Sequence, residues 1–150
     1  MQMQLGFELP ELDRKKTQAA VEAALEKYRI FKTIAFEDRE ASITAGYTER
    51  FHGPTNVTSD QTANIATHNV DEPAARKTFC ERVERAVGRL APREKLLITE
   101  RYMKEDYVFD YVVFNQKFDP PISESKYYKI KWRAFYKLAL ILNIQVVKEK

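Results

Sequence analysis

Four cations, Lys126, Lys129, Arg133 and Lys137, follow one another at intervals of three, four and four residues near the C-terminus. On a 3.6-residue period they share one helix face. Tyr127, Ile130, Ala134, Leu138 and Ile141 repeat with similar spacing and predict a second, apolar face. A row of ammonium and guanidinium groups on a rod about the width of the B-DNA major groove can neutralise phosphates and reach base edges. Asp119-Pro120-Pro121 forbids helix immediately upstream, and Ser123 is a good N-cap for the rod. A shorter apolar stretch, Tyr107 to Phe114, precedes the prolines. A short helix, a turn and a long cationic helix are the parts of a helix-turn-helix reader of double-stranded DNA.

Position divides the labour within that reader. Glu124, Ser125, Lys126, Tyr128 and Lys129 stand at the leading end, where recognition helices meet bases. A glutamate accepts from a cytosine amino group, a lysine donates to guanine, and a serine serves either. Lys131, Arg133 and Lys137 lie further along and suit phosphate contacts, with Arg93 and Arg101 of the preceding segment as additional ones. Tyr127, Tyr128, Trp132, Phe135 and Tyr136 crowd the same helix. Stacking on unpaired bases is one use for them. Core packing is the favoured one, with Tyr127 and Phe135 against the 107–114 segment and Trp132 at the core's edge.

Other chemistries find less support. The four glycines form no phosphate-cradling loop, and His52 and His68 lack companion cysteines at zinc spacing. Cys80 falls beside Phe79 and Val83 on a helical period, as a buried, inert thiol would. Glu81 with Glu84, and Asp106 with Asp110, sit among arginines and lysines like surface ion pairs. Neither catalysis nor a metal or other cofactor is expected.

The elements that must position the stripe follow from pattern and punctuation. Asp13 caps a helix running to about Ile34, with Val21, Ala24, Leu25, Tyr28 and Phe31 as its apolar ladder. Residues 35–71, with Gly46, Gly53 and Pro54, lose periodicity and predict a linker or irregular segment, with short strand conceivable at Ser42–Ala45 and Asn56–Thr58. Asp71-Glu72-Pro73 opens a second helix through Phe79, Val83, Val87 and Leu90. Pro92 opens a third, carrying Leu96, Leu97 and Tyr102, and Asp106 can cap a fourth over 107–114. Three parts result: a helical segment (1–34), the irregular stretch (35–71) and a helix-turn-helix domain (72–150), together an all-α fold.

Charge divides along the same line. Residues 1–75 hold 8 Lys/Arg against 12 Asp/Glu, and residues 76–150 hold 17 against 10, so the halves carry −4 and +7. The polyanion partner belongs to the second half. No apolar run spans a bilayer, Met1–Pro10 lacks the pattern of a secretory signal, and the lone cysteine forms no internal disulfide. A cytoplasmic location is expected.

Three separated segments carry a family likeness. They are Leu9-Pro10-Glu11-Leu12-Asp13-Arg14-Lys15-Lys16-Thr17 with Val21-Glu22 and Leu25–Arg29; Leu90, Arg93-Glu94 and Arg101-Tyr102; and Ile122–Lys129 with Ala134–Ala139. With them the chain resembles the ArpU family of phage and prophage transcriptional regulators, and its C-terminal part is similar to region 4 of sigma-70-type factors. The resemblance implies an activator of late packaging or lysis genes, or of autolysin-related genes, working with host RNA polymerase, and the base-side positions above match those of sigma-like domains. One departure stands out: Asn115–Pro121 is longer than the usual turn and holds two prolines. Two rival readings keep the DNA: a minimal sigma-like factor, and a small DNA-binding adaptor subunit of a phage packaging machine. A third, a protein-interaction domain, does not. Val21, Leu25, Tyr28 and Phe31 either pair with a second copy to form a homodimer or fold back on the basic half.

Overall fold

Asp13 starts the first helix: its Oδ1 accepts the Lys16 backbone N–H at 3.0 Å, and α1 (Arg14–Ala45) follows. A computed structural model describes residues 9–45 and 60–149, with side chains at 9–37 and 71–149. Thr17, Val21, Leu25 and Tyr28 line the buried face of α1. Phe31 is partly buried, edge-on to Phe79 at 5.5 Å between ring centres, and the Tyr28 hydroxyl donates to Glu84 Oε2 at 2.7 Å. Within the chain this face packs on α2 and α5. Val21, Leu25 and Tyr28 are buried in the chain's own core.

The irregular segment expected at 35–71 is corrected at both ends. α1 continues past Ile34 to Ala45, because no glycine or proline interrupts it; Ser42–Ala45 is helix, not strand. α2 (Asp60–Gly88) begins well before Pro73 and carries that proline inside it. Proline removes one backbone donor, and downstream packing through Cys80, Val83, Ala86 and Val87 holds the rod. Asn56–Thr58 lies outside the described residues.

After Arg89 and Leu90 the chain turns into α3 (Pro92–Ile98), with proline in its first turn and the Glu94 carboxylate accepting the Ala91 N–H at 3.0 Å. α3 widens into a π-helical turn, Thr99–Met103. Arg29 of α1 closes that turn: its Nη1 donates to Met103 O at 3.1 Å and to Lys104 O at 2.7 Å, and its Nε pairs with Asp106 Oδ1 at 3.1 Å. Asp106 is thereby spent on Arg29 and does not cap the next helix. The expected helix over 107–114 starts later. Tyr107 is left-handed (φ 60°) and Phe109 is extended, so α4 begins at Asp110 (Asp110–Val112) and continues as a second π-helical turn, Val113–Lys117.

The two-proline turn leads to α5 (Glu124–Leu142), capped as expected by Ser123, whose Oγ accepts the Lys126 N–H at 3.2 Å. Asn143 ends it in the left-handed region (φ 59°), with N–H bonds from Asn143 to Leu140 O at 3.2 Å and from Ile144 to Ala139 O at 2.9 Å. Arg82 Nη2 reaches across from α2 to Leu142 O at 2.9 Å. Beyond α5 the chain runs back along the start of α1: the Asp13 N–H bonds to Val146 O at 2.7 Å and the Lys148 N–H to Glu11 O at 3.0 Å, an isolated antiparallel bridge at Leu12 and Val147. No other β pairing occurs among the described residues. The fold is all-α, with α5 packed among α1, α2 and α3.

Candidate nucleic-acid interface

α5 presents two unlike faces. Tyr127, Lys131, Ala134, Phe135, Leu138, Ala139 and Leu142 are buried, while Lys126, Lys129, Arg133 and Lys137 are exposed. The apolar face is thus rotated from the expected one. Tyr127, Ala134 and Leu138 belong to it, Ile130 is at its edge, and Ile141 is 41% exposed. Tyr127 packs on Phe114 at 5.2 Å between ring centres, as expected; Phe135 instead meets Tyr102 at 5.7 Å. Trp132 sits at the boundary beneath the Arg14 guanidinium, 4.8 Å away.

All five residues assigned to base reading are exposed, and all lie on the first two turns after the Ser123 cap: Glu124, Ser125, Lys126, Tyr128 and Lys129. Of the phosphate candidates, Arg93 and Arg133 are also exposed. Lys137 is half-exposed and anchored, its Nζ 2.8 and 3.1 Å from the two oxygens of buried Glu94. An ammonium held on one side keeps donors for a second acceptor. Glu94 therefore does two jobs, capping α3 and fixing the position of a stripe cation.

Lys131 does not join the stripe. Its side chain is 8% exposed and its Nζ lies 3.2 Å from Asp110 Oδ1. Arg101 is turned inward too, its Nε 3.0 Å from the same oxygen. Both heads, expected at phosphates, are instead engaged inside the fold, where each neutralises a half-buried carboxylate that burial would otherwise destabilise. Asp110 also accepts the Tyr127 hydroxyl at 2.6 Å and, at 3.4 Å, that of Tyr128. Burial by itself raises the Asp110 carboxyl, but the Tyr127 donor, Lys131 and Arg101 outweigh it and hold the group below its ordinary value. Tyr127 responds in the opposite sense: burial first, then its bond to Asp110, push its hydroxyl far above the usual range.

Asp110 ties α4 to α5, although its spacing from Asp106 suggests a surface ion pair. One signal was available. It is the lone charge within Tyr107–Phe114, and Lys131 stands four residues from both Tyr127 and Phe135, on the core side of the wheel. A buried carboxylate requires a buried cation, and these two are the candidates. Arg29, which closes the turn after α3, carried no comparable signal. Cys80 is buried as expected, with burial pushing its thiol upward.

These features define an all-α protein whose C-terminal helix is locked to a short preceding helix through a buried ion cluster and turns a cationic face to solvent. Over 142 residues the chain is 28% identical to an uncharacterized phage-related protein of Listeria innocua, a match that covers 95% of this chain and 97% of the relative. No family model and no solved structure matches the chain. Among the described residues, no helix is long and apolar enough to cross a membrane.

Proposed function

We propose that the chain is a sequence-specific DNA-binding transcriptional regulator of a phage or prophage, entering the major groove with the N-terminal half of α5. The observation that carries the reading is the exposure, on one capped and anchored helix, of Glu124, Ser125, Lys126, Tyr128 and Lys129 together with Arg133 and Lys137. The ion cluster at Asp110 supports it by fixing the angle between α4 and α5 despite the long turn between them. The phage-related relative, which matches nearly end to end, supports the phage setting. The ArpU likeness supplies the finer reading: activation of late packaging or lysis genes, or of autolysin-related genes, in concert with host polymerase.

Binding to duplexes from the DNA around the gene tests this, by footprinting followed by titration at several salt concentrations. Affinity falls steeply with salt if the cations meet phosphates. Lys126→Ala or Lys129→Ala erodes discrimination between sites by about 1–3 kcal/mol per lost base contact. Arg133→Ala weakens all sequences alike. Duplex binding that is absent, or indifferent to salt, refutes the reading.

A further inference from the structure

Away from the stripe, α1 and the segment after α3 enclose a groove of about 550 Å³ whose lining includes Glu26, Ile30, Glu105, Tyr107 and Phe109. Its apolar part is open to water: Tyr107 is 94% exposed, Phe109 60% and Ile30 51%. Phe109 stacks on exposed Tyr111 with ring centres 5.7 Å apart, which extends the aromatic surface along the rim. Tyr107 makes no hydrogen bond and no ring contact among the described residues, and its backbone is left-handed, a conformation that tyrosine adopts at a cost. The isolated fold draws nothing from that side chain. Exposed tyrosine and phenylalanine beside a groove are the anchors that protein interfaces use.

Charge selects the partner. Arg29 is held by Asp106, Arg101 by Asp110, and Glu22 accepts the Tyr102 hydroxyl at 3.0 Å. Glu26 and Glu105 have no ion-pair partner among the described residues and are exposed, so the groove is left anionic beside an exposed aromatic rim. Such a surface repels nucleic acid and attracts Lys or Arg, whose heads also favour the faces of aromatic rings. A trough between two chain segments admits a helix by its apolar side. We infer that the groove between α1 and the Glu105–Phe109 segment docks a basic amphipathic helix of a partner protein, with apolar side chains on Ile30, Tyr107 and Phe109 and cations on Glu26 and Glu105. The surface shares no exposed residue with the α5 stripe, so the inference stands or falls apart from the DNA reading.

The test uses the full chain and two synthetic probes, an amphipathic Lys/Leu/Trp peptide and a Glu/Leu/Trp peptide of the same pattern, with binding followed by calorimetry. The cationic peptide is expected to bind at a single saturable site and the acidic one not to bind. Glu26→Lys with Glu105→Lys, and separately Tyr107→Ser with Phe109→Ser, weaken it by about ten-fold or more, while Lys126→Ala leaves it unchanged. These side chains are exposed, so the variants fold, and an unchanged circular dichroism spectrum checks this. Equal binding of both peptides, or indifference to the groove variants, overturns the inference. So does a groove-dependent rise in native mass, which would make the occupant a second copy. Single-stranded DNA binding lost in Tyr107→Ser with Phe109→Ser also overturns it, in favour of base stacking.

Discussion

Tyr127 and Asp110 meet at 2.6 Å, hydroxyl to carboxylate, between the long C-terminal helix and the short one before it. The contact sits at the centre of a cluster in which Lys131 and Arg101 share the same oxygen. Asp110→Asn leaves Lys131, 8% exposed, without its counter-charge. Removing one partner of a buried pair costs about 3–5 kcal/mol, and the partial exposure of Asp110 puts the expected loss nearer ~2–3. Tyr127→Phe, which keeps the ring and removes the donor, costs ~1 kcal/mol. Urea unfolding followed by circular dichroism measures both. Equal losses in the two variants would show that the hydroxyl, not the ion cluster, holds the helices together.

Acid acts on the same cluster. The folded Asp110 carboxyl is held below its ordinary value, so the unfolded chain binds its proton first as pH falls. The stabilisation is complete above the unfolded carboxylate value of about 4 and is lost as pH drops through the lower folded value. Stability measured against pH should therefore decline below about pH 4, and that part of the decline should shrink in Asp110→Asn. A variant profile parallel to the native one would remove Asp110 as its source.

Alkali has the opposite handle. Burial first, with Glu84, Glu22 and Asp110 adding to it, pushes the hydroxyls of Tyr28, Tyr102 and Tyr127 well above their ordinary value. The folded chain keeps these protons where the unfolded chain has released them. The contribution is fully present below the unfolded value of about 10 and is lost as pH rises beyond it. Tyrosinate absorbance should keep a component, from these three held tyrosines, that appears only together with loss of helix. A single stage completed before unfolding would contradict the buried bonds.

Much of this fold can be read from the chain because its signals are local. Asp13 and Ser123 each precede a helical period and cap it through their own side chains, and Pro92 opens α3 for a reason internal to proline. What escapes is set by distant partners. Lys131 looks like a phosphate contact until Asp110 arrives from twenty-one positions away, and Asp106 looks like a cap until Arg29 takes it. Pro73 misleads differently. Proline is read as a helix start because it fits there at no cost, yet a long, packed helix can carry one inside. The leading end of α5 was legible for the same local reason as its cap; the anchor that holds Lys137 to Glu94 was not.

Tyr107 offers a measurement on the free fold that needs no partner. Its φ of 60° suits glycine, and its ring is 94% exposed with nothing packed on it. Tyr107→Gly removes the conformational penalty in the folded state, and glycine's greater freedom in the unfolded chain offsets part of that gain. A backbone penalty of roughly 1–2 kcal/mol against an entropic offset of roughly 0.5–1 leaves a net stabilisation of at most ~1.5 kcal/mol. Tyr107→Asn, which tolerates the left-handed region without glycine's entropy, should stabilise to a similar degree. Tyr107→Val, β-branched and ill-suited to positive φ, should destabilise by ~1 kcal/mol. Thermal unfolding of the three variants ranks them, and a glycine variant less stable than the native chain would mean that the exposed ring supports the fold after all.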